Sequence, residues 1–260
     1  MSTEQNQIDV TPWQVELMRL TAFTAGSHGS DVDQWWGTVV KEPPESKTEK
    51  LRESLRTLEG HIGKAKLILA SVFDRIDWLM GVDIKIGEDF VEAPNIGPYE
   101  GNRQLFCSTI RPWFSNCPPI TRLAWGSTLI MPVADRETGY ETLKKYLHSL
   151  SLDSENSSEL LYQINRPRKS ENLPDFTINR LQKWSVMLVR PFSLTVTASP
   201  GVSAQTTQNS LGAGVSACRL ELDISSPLDH TEPIPVDQLP ALFDELVGLG
   251  TEISEHGDIA

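Results

Sequence analysis

The sequence is short of the residues that announce chemistry. Its 260 positions hold three cysteines, Cys107, Cys117 and Cys218, an odd number without a close pair. That excludes the disulfide frame of small secreted domains and points to reduced thiols in a cytosol. His28, His61, His148, His230 and His256 each stand with no other histidine or cysteine within five positions. No CxxC, HxxxH or HExxH spacing occurs, so no metal is expected. A Gly-x-x-x-x-Gly-Lys-Ser/Thr phosphate loop and a Gly-x-Ser-x-Gly elbow are also missing, and no cofactor is expected. No apolar run approaches the roughly 20 residues that span a bilayer. Met1–Val10 has neither the basic segment nor the apolar core of a signal peptide. The expectation is a soluble cytoplasmic protein with no membrane partner.

Positive charge is scarce as well. Lys and Arg number 23 against 35 Asp and Glu, a net charge of −12. Such an excess repels phosphate backbones and anionic membranes and favours a basic partner. The imbalance is uneven. Ala217–Ala260 holds ten acids and Arg219 as its one base, whereas Glu159–Pro200 holds six bases against three acids.

What the chain does have is the means to build a core. Hydrophobic residues make up 39% and tryptophans number seven, and each buried aromatic removes a large apolar area from water. Trp13–Phe23 reads as a strand. Val32, Trp35, Trp36 and Val39 fall at helical spacing, with Ser30 and Asp33 in capping-box positions. The charged run Lys41–Gly60 reads as loop. Lys64–Ile86 reads as two antiparallel strands turning near Phe73-Asp74-Arg75, Gly87–Gly101 as loop, and Phe106–Ile120 as a short helix. Arg122–Val133 reads as a strand, followed by a helix with Asp135 as N-cap and Tyr140, Leu143 and Leu147 on one face. After the polar run Ser151–Glu159, strands are expected over Ser158–Ser170, Asn179–Arg190 and Pro191–Pro200. Ser199–Gly214 reads as flexible. A strand with Leu220, Leu222 and Ile224 on one side then precedes a helix burying Leu239, Leu242, Phe243, Leu246 and Val247, with Pro240 tolerated in its first turn.

The resulting fold class is α+β: mainly antiparallel sheet with amphipathic helices on one face. The halves are an N-terminal α+β unit over 1–150 and a C-terminal one over 160–260, or one continuous domain. Arg122-Leu123 followed by Tyr140, Leu143 and Leu147 matches Arg219-Leu220 followed by Leu239, Leu242 and Leu246. An internal duplication and the generic look of any β-loop-α unit both explain that match.

Segments Asp74–Met80 (DRIDWLM), Tyr162–Ser170 (YQINRPRKS), Asn179–Val186 (NRLQKWSV), Arg219–Ile224 (RLELDI) and the closing QLPALFDEL helix resemble a sporadically distributed family of uncharacterised bacterial proteins. The resemblance implies a bacterial origin and transfers no activity or site.

Several constellations invite chemistry, each with a plainer explanation beside it. Gly26–Asp31 opens a helix as a phosphate loop would, but Asp31 and Asp33 occupy the first turn and fit a capped surface loop. Ser27, His28 and Asp31 have the residue types of a hydrolase, yet close neighbours in sequence rarely converge. Glu221 and Asp223 alternate with Leu220 and Leu222 and so share the solvent face of a strand, as a cation site or as ion-pair partners. Asp74 and Asp77 flank Arg75 in the same way.

The basic segment 162–184 is the most informative. Tyr162, Gln163, Asn165, Arg166, Arg168 and Lys169, with Asn179, Arg180, Gln182, Lys183 and Trp184, mix cations, amides and aromatics. That mixture suits protein recognition, a nucleic-acid strand, or arginines that tie strands to the acidic C-terminal helix. The preferred function is non-enzymatic recognition of another protein, as an accessory of a toxin, effector or defence system. A nucleic-acid-binding protein is the alternative, and an undescribed hydrolase a further one.

Overall fold

The computed structural model describes residues 13–26, 31–83, 93–189, 192–197, 205–210 and 214–259. These form β1 (Gln14–Thr24), α1 (Val32–Val39), β2 (Ser46–Lys50), β3 (Leu55–Ile62), β4 (Ala65–Val72), β5 (Arg75–Gly81), α2 (Tyr99–Ile110), β6 (Ile120–Val133), α3 (Arg136–Lys144), β7 (Leu161–Asn165), β8 (Arg168–Lys169), β9 (Thr177–Val189), β10 (Phe192–Thr197), β11 (Gln205–Ser210), β12 (Val215–Ser225) and α4 (Leu239–His256). The α+β class with a dominant antiparallel sheet is what the structure shows.

Ten strands make one sheet in the order β2-β3-β4-β5-β1-β6-β12-β9-β7, with β8 beside β9, and β10 pairs β11 apart from it. Every pairing is antiparallel. The long strands β1 and β6 lie at the centre. From β1 the chain makes a helix, then a meander that returns to pair beside β1, then a closing helix. From β6 it does the same through α3, β7, β9, β12 and α4. The two shorter units matched in sequence, β6 with α3 and β12 with α4, are neighbouring strands that each feed a helix. Ala134–Asp135 joins the first, and Ser226–Gln238 joins the second.

All four helices lie on the same face. Register carries one row of side chains across the sheet on that side: Leu58, Leu69, Trp78, Leu20, Trp125, Ile224 and Arg180. Trp36 of α1 stacks on Trp78, Phe106 of α2 meets Trp125, and Gly250 of α4 fits against Trp125 and Ile224. Cys218, three rows further along the same face of β12, donates from its Sγ to the carbonyl of Gly139 in α3. All seven tryptophans are buried in this layer.

Several expectations need correction. Lys41–Gly60 is not loop: it contains β2 and most of β3. β2 is an edge strand exposed at every position, so it carries no apolar alternation to read. Ser199–Gly214 is not unstructured throughout, because Gln205–Ser210 is β11. The helix expected from Phe106 begins earlier, at Tyr99, taking the end of the expected Gly87–Gly101 loop, and runs on as a 3-10 turn over Arg111–Ser115. The N-cap of α1 is Asp31, without a side-chain hydrogen bond, and Ser27–Ser30 lie outside the described residues. Asp135, by contrast, caps α3 as expected, accepting from the Thr138 amide at 2.8 Å.

Trp125 joins β6 to α2 and α4. Its replacement by alanine leaves a void under both helices and is expected to cost roughly 3–5 kcal/mol. Trp125→Phe should cost much less, since an aromatic ring is kept against Phe106 and Phe243. Urea unfolding of the two variants checks the order.

Candidate functional site

Strand alternation divides the basic segment between the two faces of the sheet. Tyr162, Arg166, Arg168, Arg180, Gln182 and Trp184 are on the helix side. Gln163, Asn165, Asn179 and Lys183 are on the other side, where Asn165 donates to Asn179 Oδ1 at 3.0 Å.

On the helix side the cations meet the acidic end of α4. The Asp258 carboxylate is fully buried. Its Oδ2 accepts from Arg166 Nη2 at 2.9 Å, Tyr162 Oη at 2.6 Å and Ser149 Oγ at 2.6 Å. Its Oδ1 accepts from Arg166 Nε and, at 3.3 Å, from Gln182 Nε2. The Arg166 hydrogen bond outweighs burial and holds the Asp258 carboxyl well below the usual carboxylate range. Arg168 makes a two-pronged pair with Glu252, at 2.7 and 3.2 Å. Arg180 is fully buried, 3.8 Å from Glu252, and its guanidinium nitrogens have no hydrogen-bond partner. Two turns earlier on α4, burial would raise the Glu245 carboxyl. The Ser170 hydroxyl, the Glu171 and Asn172 amides and the Asn172 side chain reverse this and lower it.

Gly257 makes the clasp possible. It sits at φ +79°, ψ −150°, a conformation almost confined to glycine. A Cβ there would lie 2.0 Å from the Tyr146 carbonyl oxygen, which accepts from the Asp258 amide at 2.8 Å. Beneath it Trp13, Tyr146 and Trp184 pack ring to ring, and Trp13 donates to the Ser254 carbonyl. Arg166, Arg168 and Arg180 are thus engaged in fixing the last helix to the sheet.

On the opposite face, no helix lies among the described residues. Here the strands present Arg19, Arg75, Arg122, Lys183 and Arg219 together with Asp77, Glu221 and Asp223. Phe23 lies between two guanidiniums, with Arg122 at 4.8 Å and Arg75 at 6.0 Å from its ring centre. Arg75 pairs with Asp77, which also accepts from Thr21 Oγ1 at 2.5 Å. Glu221 is held by Lys183 at 3.0 Å and Arg219 at 3.1 Å, so it is an ion-pair partner. In the middle is a hollow of about 380 Å³ lined by Leu17, Arg19, Thr128, Gln163, Lys183 and Asp223 among others, with Gly126 at its floor. The Arg19 guanidinium lies against that floor: a Cβ on Gly126 would be 3.4 Å from its Nε and Nη2. The Nε atoms of Arg19 and Arg122 are buried without hydrogen-bond partners.

This face escaped the linear reading because its members come from five strands far apart in sequence. The available signal was a lone arginine at an alternating position in each apolar strand: Arg19, Arg122 and Arg219.

None of the three cysteines is set up as a nucleophile. Burial pushes the Cys107 and Cys117 thiols up to about 11 and the Cys218 thiol up to about 12, so none is a thiolate near neutral pH. Among the described residues no group of three His, Cys, Asp or Glu side chains is placed to hold a metal ion, and no helix is long and apolar enough to cross a membrane. No protein-family model, no curated protein and no solved structure matches the chain.

The clasp yields two predictions. Asp258→Ala strands the Arg166 side chain and should cost toward the lower end of the roughly 3–5 kcal/mol for a broken buried pair, because Arg166 is partly exposed; Gly257→Ala, which misplaces Asp258, should be similarly damaging. A carboxyl depressed in the folded state contributes stability above its unfolded value of about 4 and loses it as pH falls toward the folded value. Wild-type stability should therefore decline more steeply below about pH 4 than that of Asp258→Asn, as read by urea midpoints across pH.

Proposed function

We propose that the protein is a non-catalytic recognition module that docks a partner protein on the open face of its sheet. The observation that carries this reading is the buried, unsatisfied Arg19 Nε in the Gly126 hollow, with a second such nitrogen, Arg122 Nε, two rows along β6 beside Phe23. Unpaired buried donors are costly, and a carboxylate from a partner would satisfy them with charge-assisted hydrogen bonds. Arginine and aromatic residues together are typical of the central, energetically dominant part of protein interfaces. The partner surface is accordingly acidic at this spot, although the chain as a whole is itself acidic. The nucleic-acid reading loses its main support, since Arg168 and Arg180 face Glu252 of α4 and Arg166 faces Asp258 just beyond it. That the partner is a companion toxin, effector or defence component is a proposal from the family resemblance alone.

Affinity purification from the native cell, followed by mass spectrometry, tests the reading. The wild-type chain should retain one specific protein. Arg19→Glu should weaken that complex about thirtyfold or more, from the roughly 2–5 kcal/mol that breaking a buried charge pair costs, with no loss of melting temperature. Thr128→Trp, which fills the hollow with bulk, should do the same. Retention of the partner by both variants would contradict the proposal. So would a co-purified nucleic acid released steeply by salt.

A further inference from the structure

The two rims of the sheet are finished differently. At one rim β2 is short, exposed throughout and carries Lys47, Glu49 and Lys50, which is how an edge is kept from pairing with another chain. At the other rim β7 pairs with β9 over Leu181–Ser185 and β8 pairs over Thr177–Ile178. Val186–Val189 run on with no strand outside them among the described residues. Beyond the Val189↔Val215 pair in sequence, β10 and β11 pair with each other in a separate two-stranded sheet, Phe192 opposite Ser210. Neither has a second neighbour among the described residues.

The sequence here lacks the usual guards. Between Arg190 and Arg219 there is no Asp, Glu, Lys, Arg or His, in a chain that is 22% charged. Phe192–Thr197 alternates Phe, Leu and Val with Ser and Thr, residues that favour strands. A two-stranded ribbon alone is marginal in water, and further strands stabilise it. Two copies of a chain with net charge −12 repel, and this stretch is where their approach brings no like charges together. An uncharged edge selects neither an acidic nor a basic partner, whereas it is compatible with itself.

We infer that β10 is the edge at which two copies of this chain join, antiparallel and about a two-fold axis, so that two ribbons become one four-stranded sheet. The contact is isologous and closed. It is separate from the open face, and either can fail without the other.

Light scattering on the purified chain tests this. The expected result is twice the 29.0 kDa chain mass at high concentration, dissociating on dilution, with more dimer at higher salt because the net repulsion is screened. Two variants probe β10: Ser193→Lys with Thr195→Lys, and Leu194→Lys. Each should raise the dimer dissociation constant tenfold or more while leaving tryptophan emission unchanged. A mass of one chain at every concentration and salt would overturn the inference. A dimer that both variants leave intact would also overturn it.

Discussion

Seven tryptophans and the apolar sides of four helices are gathered on one face of the sheet, and this one-sided burial is the constraint around which the molecule is arranged. Because strand side chains alternate, burying Trp78, Leu20, Trp125 and Ile224 on one side commits Asp77, Arg19, Gly126 and Asp223 to the other. Antiparallel sheets tolerate that asymmetry. The uncovered side must still satisfy its polar groups, and it does so largely by pairing charges within itself. Arg19 and Arg122 have no ion-pair partner among the described residues, and Arg19 lies against Gly126, where even a Cβ would touch its guanidinium at 3.4 Å.

The helix layer has one break in its apolar logic. Arg180 occupies a row whose other members are leucine, isoleucine and tryptophan. A buried guanidinium costs free energy unless compensated, and here the compensation is nearby carboxylates more than hydrogen bonds. Glu252 and Asp258 from the end of α4 supply negative charge, and Arg166 and Arg168 hold those carboxylates in place. Burial followed by the neighbouring Arg168 lowers the Arg180 pKa, against Glu252, which raises it. The clasp is therefore an electrostatic fastening of the last helix, and it fixes where α4 stops along the sheet.

The central strands and the amphipathic helices were legible because they carry the 2.0 and 3.6 periodicities in full. Leu220, Leu222 and Ile224 show the first, and Leu239, Leu242, Phe243 and Leu246 the second. β2 was not legible because an edge strand exposed on both faces has no period to display. β11 was hidden by a polar composition that strand pairing overrides. The basic segment looked like one surface because adjacency in sequence suggests adjacency in space. On a strand the opposite holds for neighbours, and Arg180, Lys183 and Trp184 could have been sorted by parity alone. Asp258 gave no sign of its role: its importance depends on Gly257 turning the chain back onto Tyr146, a geometry that a lone glycine near a terminus does not announce. The open face required the strand order β5-β1-β6-β12-β9, which no local pattern encodes.

The account's central claim is that the helix side of the sheet holds the protein together and the open side meets a partner. Photo-cross-linking in the native cell addresses it directly. A benzophenone-bearing amino acid is placed at Thr128 in the hollow and, in a second chain, at Glu255 on the exposed side of α4. The account predicts a discrete protein adduct from position 128 and none from position 255. Adducts from position 255 alone, or adducts to nucleic acid from position 128, would contradict it.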